Sequence, residues 1–170
     1  MRDRIAIVAA RMIAYNGADF RRISHALTVY GLVKAMAEEE GLDDPSRELL
    51  EAAALLHDIG IKLSEQKYGV STGRYQQIEG PPVARELLQG LGFLPETVER
   101  ICYLIAHHHT YTEVTGTDYQ LLIEADFLVN LQKEGGTPAQ VALVGQRHFK
   151  TEAGRRLLAS IYPVHGAGGA

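Results

Sequence analysis

The sequence predicts an all-α protein, and three observations carry that expectation. Apolar residues recur at helical spacing over most of the chain, strand-type alternation is almost absent, and Gly or Pro punctuation separates the periodic segments. The architecture expected is a compact bundle of roughly six to eight helices.

A first helix is expected over about residues 2–15, stopped at Asn16-Gly17. A second covers about 23–40 and ends at Gly41. The third begins after Asp44, a suitable cap, with Pro45 at the first helical position, and runs to Asp58 before Gly60 breaks it. A fourth opens at Pro81-Pro82 and closes near Gly90-Leu91-Gly92, and a fifth starts at Pro95-Glu96 and reaches His107-His108-His109. A sixth spans about 119–133, closed by Gly135-Gly136, and one or two more follow from Pro138. Between the third and fourth lies a long connection, residues 61–79. Connections of that length inside compact domains often serve as lids or binding loops, and a lid and a plain surface excursion both stay open.

A length of 170 residues fits one domain, expected over 1–165 with a flexible tail at 166–170. The hydrophobic fraction of 46% beside 22% charged residues places the chain among globular proteins rather than disordered ones. Net charge is -4 and the basic residues are scattered, so no nucleic-acid polymer is expected as a partner. The apolar stretch at 5–10 is interrupted by Arg11, no signal-peptide pattern or membrane-spanning run occurs, and a cytoplasmic location without a membrane partner is expected. A homo-oligomer is left open. The single cysteine, Cys102, sits in an apolar helical run and reads as a core residue rather than a nucleophile.

Several polar residues fall where the core should be. His25 shares a helical stripe with Val29, Leu32, Val33 and Met36; His57 continues Leu50, Ala53 and Ala54, with Asp58 at the helix end. His108 extends Ile101 and Leu104, His109 extends Cys102 and Ile105, and Asp126 aligns with Leu122, Ile123 and Val129. His107 aligns with Arg100 and Tyr103 and is the outer member of its triplet. His148 and His165 lack inward partners and read as surface or C-terminal residues. A buried carboxylate or imidazole without a partner is costly. Any one of these residues alone could be satisfied by a hydrogen bond in the core. Their convergence from separate helices points to a shared divalent metal, which leaves carboxylates ionised and takes neutral imidazoles as ligands.

The ordered set His25, then His57-Asp58 in Ala54-Leu55-Leu56-His57-Asp58-Ile59-Gly60, then Asp126 resembles the H…HD…D signature of the HD superfamily of metal-dependent phosphohydrolases, over about residues 20–132. The resemblance implies an all-α fold with one metal held by His25, His57, Asp58 and Asp126. Some members bind a second metal with the bridging aspartate, a histidine before the fourth helix and an adjacent histidine pair. His108-His109 is similar to that pair, whereas Gln76 stands where the earlier histidine would be, leaving Glu79 as a substitute carboxylate. Many members also carry lysine directly after the glycine; here Ile61-Lys62 follows it.

The expected reaction is hydrolysis of a phosphate ester or anhydride in a small phosphorylated substrate of nucleotide type, by water activated on one or two ions of Mn, Fe, Co, Ni, Zn or Mg. Asp58 would orient that water, His108 and His109 would be second-metal ligands or general acids, and Arg22, Lys62 and Arg74 are the candidate phosphate cations, Lys62 also a candidate catalytic residue. Two other readings remain: a di-iron oxygenase of the same superfamily, and a domain that binds a nucleotide without turnover. The deaminase signature, His-Glu-x-x-His and Walker-type loops are absent.

Overall fold

The computed structural model describes residues 3–163, which leaves His165 and the tail at 166–170 outside the described residues. Among the described residues the chain forms nine helices and no strand: α1 (Arg4–Asn16), α2 (Phe20–Glu39), α3 (Asp44–Leu56), α4 (Ile61–Tyr68), α5 (Gly73–Leu88), α6 (Pro95–His107), α7 (Thr117–Lys133), α8 (Pro138–His148) and α9 (Glu152–Ile161). The all-α expectation is met, with one helix more than the upper expected number.

Short polar side chains start many of these helices. Asp3 accepts from the backbone of Ile5 and Ala6, Asp19 from Arg22, and Asp43 from Ser46, which makes Asp43 rather than Asp44 the cap of α3. Thr137 and Gln140 form a reciprocal capping box at α8, and Thr151 caps α9.

The extra helix lies in the segment expected to be a long loop. Gly60 leads into α4, which ends at Gly69 in a left-handed conformation (φ 74°), and α5 begins only four residues later at Gly73. Pro81 and Pro82, expected to open a helix, lie inside α5. Each proline removes one helical hydrogen bond, but the carbonyls left over belong to Gln77 and Ile78, both exposed residues.

Helix α3 is the centre of the bundle, packed by α1, α2, α6 and α7, while α5 lies against α4 and α6, and α8 and α9 cover α7. From Leu50 to Leu56 every residue of α3 is buried, and the run Ala52-Ala53-Ala54 lets neighbouring helices approach from several sides. Leu50, Leu55 and Leu56, at 1% exposure or less, each contribute about 2 kcal/mol through area removed from water. Cys102 is buried with its Sγ 3.7 Å from Pro81 O, the core role expected of it. Among the described residues no helix is long and apolar enough to cross a membrane.

This packing determines where four chain segments meet. The turn after α3 carries His57 and Asp58, α2 brings His25, the end of α6 brings His108, and the middle of α7 brings Asp126. Gly60 is not there for an unusual dihedral, since its φ is -75°. A Cβ on it would lie 2.7 Å from Gly80 N and 2.9 Å from Gln76 O, so the missing side chain allows α5 to press directly on the turn.

Candidate metal centre

His25 Nε2 lies 3.1 Å from His57 Nε2, 3.1 Å from Asp126 Oδ1 and 3.3 Å from Asp58 Oδ2. His57 Nε2 is 3.5 Å from both of those carboxylate oxygens. The other oxygen of Asp58, Oδ1, faces His108 Nε2 at 3.3 Å. Three overlapping groups, His25-His57-Asp58, His57-His108-Asp126 and Asp58-His108-His109, each place their ligand atoms within 4.8 Å of one another.

Two imidazoles are preset for ligation. His57 Nδ1 donates to Ala54 O at 2.7 Å and His108 Nδ1 to Ile105 O at 2.8 Å, which leaves the Nε2 of each directed inward. The turn holding His108 is itself tied down: Tyr119 OH sits 2.7 Å from His107 O and 2.6 Å from Thr110 O. Burial pushes that phenol up to about 12, so it remains a donor at physiological pH.

His25 differs. Lys133 Nζ donates to its Nδ1 at 2.8 Å. An ammonium has only donors, so Nδ1 acts here as the acceptor. Lys133 was not among the residues anticipated from sequence; its one signal is that it follows Asp126 by seven residues, two turns along the same face of α7.

The electrostatics favour a cation. Burial alone would raise the Asp126 carboxyl, but the adjacent imidazoles of His25 and His57 hold it well below the usual carboxylate range. Asp58 behaves alike: desolvation opposes ionisation, and the charge of His57 followed by the His108 imidazole overcomes it. Burial pulls His57 down, yet Asp58 and then Asp126 outweigh it and raise the imidazole to about 9. His109 is exposed as a residue, but its ring packs against His108 at 3.9 Å, tilted by 43°; loss of water on that side, then the His108 charge, lower it to about 4. Its imidazole is therefore neutral near pH 7. Asp126 Oδ1 and His108 Nε2 are buried without a well-aligned hydrogen bond, although His25 Nε2 and Asp58 Oδ1 approach them at 3.1 and 3.3 Å, and an under-satisfied acceptor in that position costs about 1–3 kcal/mol. A divalent ion satisfies both atoms, so the donor set fits a metal.

Other expected residues lie elsewhere. Glu79 does not reach the cluster: its carboxylate accepts from Lys67 Nζ at 2.7 Å and Tyr68 OH at 2.8 Å, which hold it below its ordinary range. Arg22 is bound by both oxygens of Glu65 at 2.7 Å and lies 3.3 Å from Asp19. Lys62 donates to Tyr15 O at 2.8 Å and rests 5.0 Å above the Tyr15 ring. Arg74 is exposed next to Gly73, whose absent Cβ would fall 3.3 Å from His109 Cβ. Gln76 is buried, with Nε2 on Ser71 O at 3.0 Å and Oε1 unpartnered. His107 turns outward to Tyr103 O at 2.8 Å, and His148 is half-buried, stacked on Phe127 at 4.6 Å. A groove of about 1030 Å³ bordered by Arg4, Lys34, Arg47 and Glu51 contains none of the clustered residues. The titratable groups converge away from this groove.

Comparison with known proteins agrees with this geometry. The HD domain family model matches residues 22–145. Over 62 residues the chain is 39% identical to the uncharacterized protein YwfO of Bacillus subtilis (strain 168), a stretch of 34% of this chain and 14% of that protein's own length. No solved structure matches. A family match over most of the chain, enclosing His25, His57-Asp58 and Asp126 in order, shows that this protein belongs to the HD domain family.

Proposed function

We propose that this protein hydrolyses a phosphate ester or anhydride of a small, nucleotide-type substrate, with residues 1–165 acting as one unit. The observation that carries the reading is the pair of buried atoms without a well-aligned hydrogen bond, Asp126 Oδ1 and His108 Nε2, which with a ligand atom of His57 lie within 4.8 Å of one another. In this reading His25, His57, Asp58 and Asp126 hold one ion, and Asp58, His108 and His109 hold a second. A bound divalent ion lowers the pKa of water and withdraws charge from a phosphoryl oxygen.

The chain's own groups do the rest. Asp58 divides its two oxygens between the His25-His57 side and the His108 side, so one carboxylate can serve both positions and accept a hydrogen bond from the attacking water between them. His109, neutral near pH 7, suits ligation better than proton donation.

The test is elemental analysis of purified protein followed by a phosphate-release screen over nucleotides with added Mn, Co or Ni. Release dependent on metal supports the reading. Full metal occupancy without release overturns it, with oxygen consumption by iron-loaded protein directing the assignment to an oxygenase.

A further inference from the structure

The residues that bind the ion do not supply charge for a phosphate. The clustered groups are histidines with Asp58 and Asp126 and include no lysine or arginine, so a positive side chain for an anionic phosphoryl group has to come from the edge of the cluster. Of the cations expected from sequence, Arg22 is engaged by Glu65 and Lys62 by Tyr15 O, while Arg74 is exposed and makes no polar contact with the clustered residues among the described residues. Lys133 does touch it, through the 2.8 Å contact with His25 Nδ1, and it forms no ion pair with a carboxylate among the described residues.

That contact is incompatible with a ligated His25. The nitrogen of His25 that faces the centre is Nε2, 3.1 Å from Asp126 Oδ1. If Nε2 gives its lone pair to an ion, the ring proton sits on Nδ1, which then has no lone pair for an ammonium. Lys133 must leave His25 when the ion arrives. It is an exposed residue in the last turn of α7, with a flexible four-carbon stem and no competing carboxylate, so its charge becomes available at the rim of the centre.

We propose that Lys133 is the phosphate-binding residue of this site: it occupies His25 in the metal-free protein and passes to a phosphoryl oxygen of the substrate once the ion is bound. The inference rests on the hydrolase reading above and adds a residue to it. No bond is made or broken by Lys133; it exchanges one hydrogen-bond acceptor for another and positions the phosphate.

The experiment uses the full chain loaded with Mn and measures inorganic phosphate binding by calorimetry, for the wild type, Lys133→Met and Lys133→Arg, together with metal content and, on whichever nucleotide releases phosphate, KM and kcat. Loss of one charge-assisted hydrogen bond predicts phosphate affinity weakened about ten- to hundred-fold in Lys133→Met, with a matching rise in KM. Metal content is expected to be undiminished, and Lys133→Arg to recover part of the affinity. Phosphate binding equal in wild type and Lys133→Met, with metal binding alone tightened, would show a mere cap on His25 and overturn the proposal. Failure of the metal-loaded wild type to bind phosphate at all overturns the hydrolase reading and this one with it.

Discussion

Asp58 and His108 face each other across 3.3 Å, Oδ1 to Nε2, while the second oxygen of Asp58 turns toward His25 at the same distance. The carboxylate is thereby shared between two sets of imidazoles. Replacing Asp58 with Ala removes a ligand from both sets. Metal affinity is expected to fall by at least about 100-fold, since outer partners of ligands alone command 10–100-fold. Metal content by elemental analysis checks this, and wild-type content in Asp58→Ala would refute the shared role.

The metal-free protein should respond to pH through His57. Its imidazole is raised from 6.5 to about 9 because Asp58 and then Asp126 outweigh the opposing effect of burial. A raised imidazole pKa stabilises the folded state fully below pH 6.5, and that contribution disappears as pH climbs through about 9. The melting temperature of the metal-free protein is expected to fall over this window. Apparent metal affinity should rise over the same window, because ligation requires the neutral ring. Calorimetry in buffers of different ionisation enthalpy reads the proton released, and a flat affinity profile from pH 6.5 to 9 would contradict the assignment.

Gly60→Ala tests how α5 is seated. The added methyl would meet the backbone of Gly80 and Gln76 at 2.7–2.9 Å, atoms that cannot turn aside. A loss of about 1–3 kcal/mol is expected by denaturant unfolding, as for other overpacked sites. Unchanged stability would mean that α5 yields more easily than this packing implies.

Gln76→His puts an imidazole in the place of a buried, unpartnered amide oxygen. Binding of a second ion is expected to tighten, measured by titration with Mn or Zn, because imidazole is the stronger donor to these ions. If the number of ions bound and their affinities match the wild type, Gln76 does not border the second position.

Glu124 anchors the far side of α7. Fully buried, it accepts from Lys150 N at 2.6 Å, Thr151 N at 3.0 Å and Gln120 Nε2 at 2.7 Å, and also from Thr151 Oγ1. Glu124→Ala leaves those donors unpaired and is expected to cost about 2–4 kcal/mol. Stability within error of the wild type would show that water takes over the carboxylate's role.

The convergence of buried histidines and aspartates was legible in the sequence because its members break a pattern. His25, His57, His108 and Asp126 each occupy a stripe otherwise apolar at helical spacing, and a buried ionisable group stands out against such a stripe. Pro81-Pro82 misled for the opposite reason: local preference places proline at a helix start, but packing of α5 against α6 and the Gly60 turn carried the helix through. The same packing turned part of the expected loop at 61–79 into α4.

Helix periodicity, capping chemistry and inward polar residues thus determined by themselves the all-α class and the composition of the cluster, because both depend on spacing along one chain. Tertiary structure alone decided which cations stand near it. Long side chains such as Lys62, Arg22 and Glu79 go to whichever partner folding brings within reach, here Tyr15 O, Glu65 and Lys67. For the same reason Lys133, 108 positions from His25, could be placed against it only once α2 and α7 had packed.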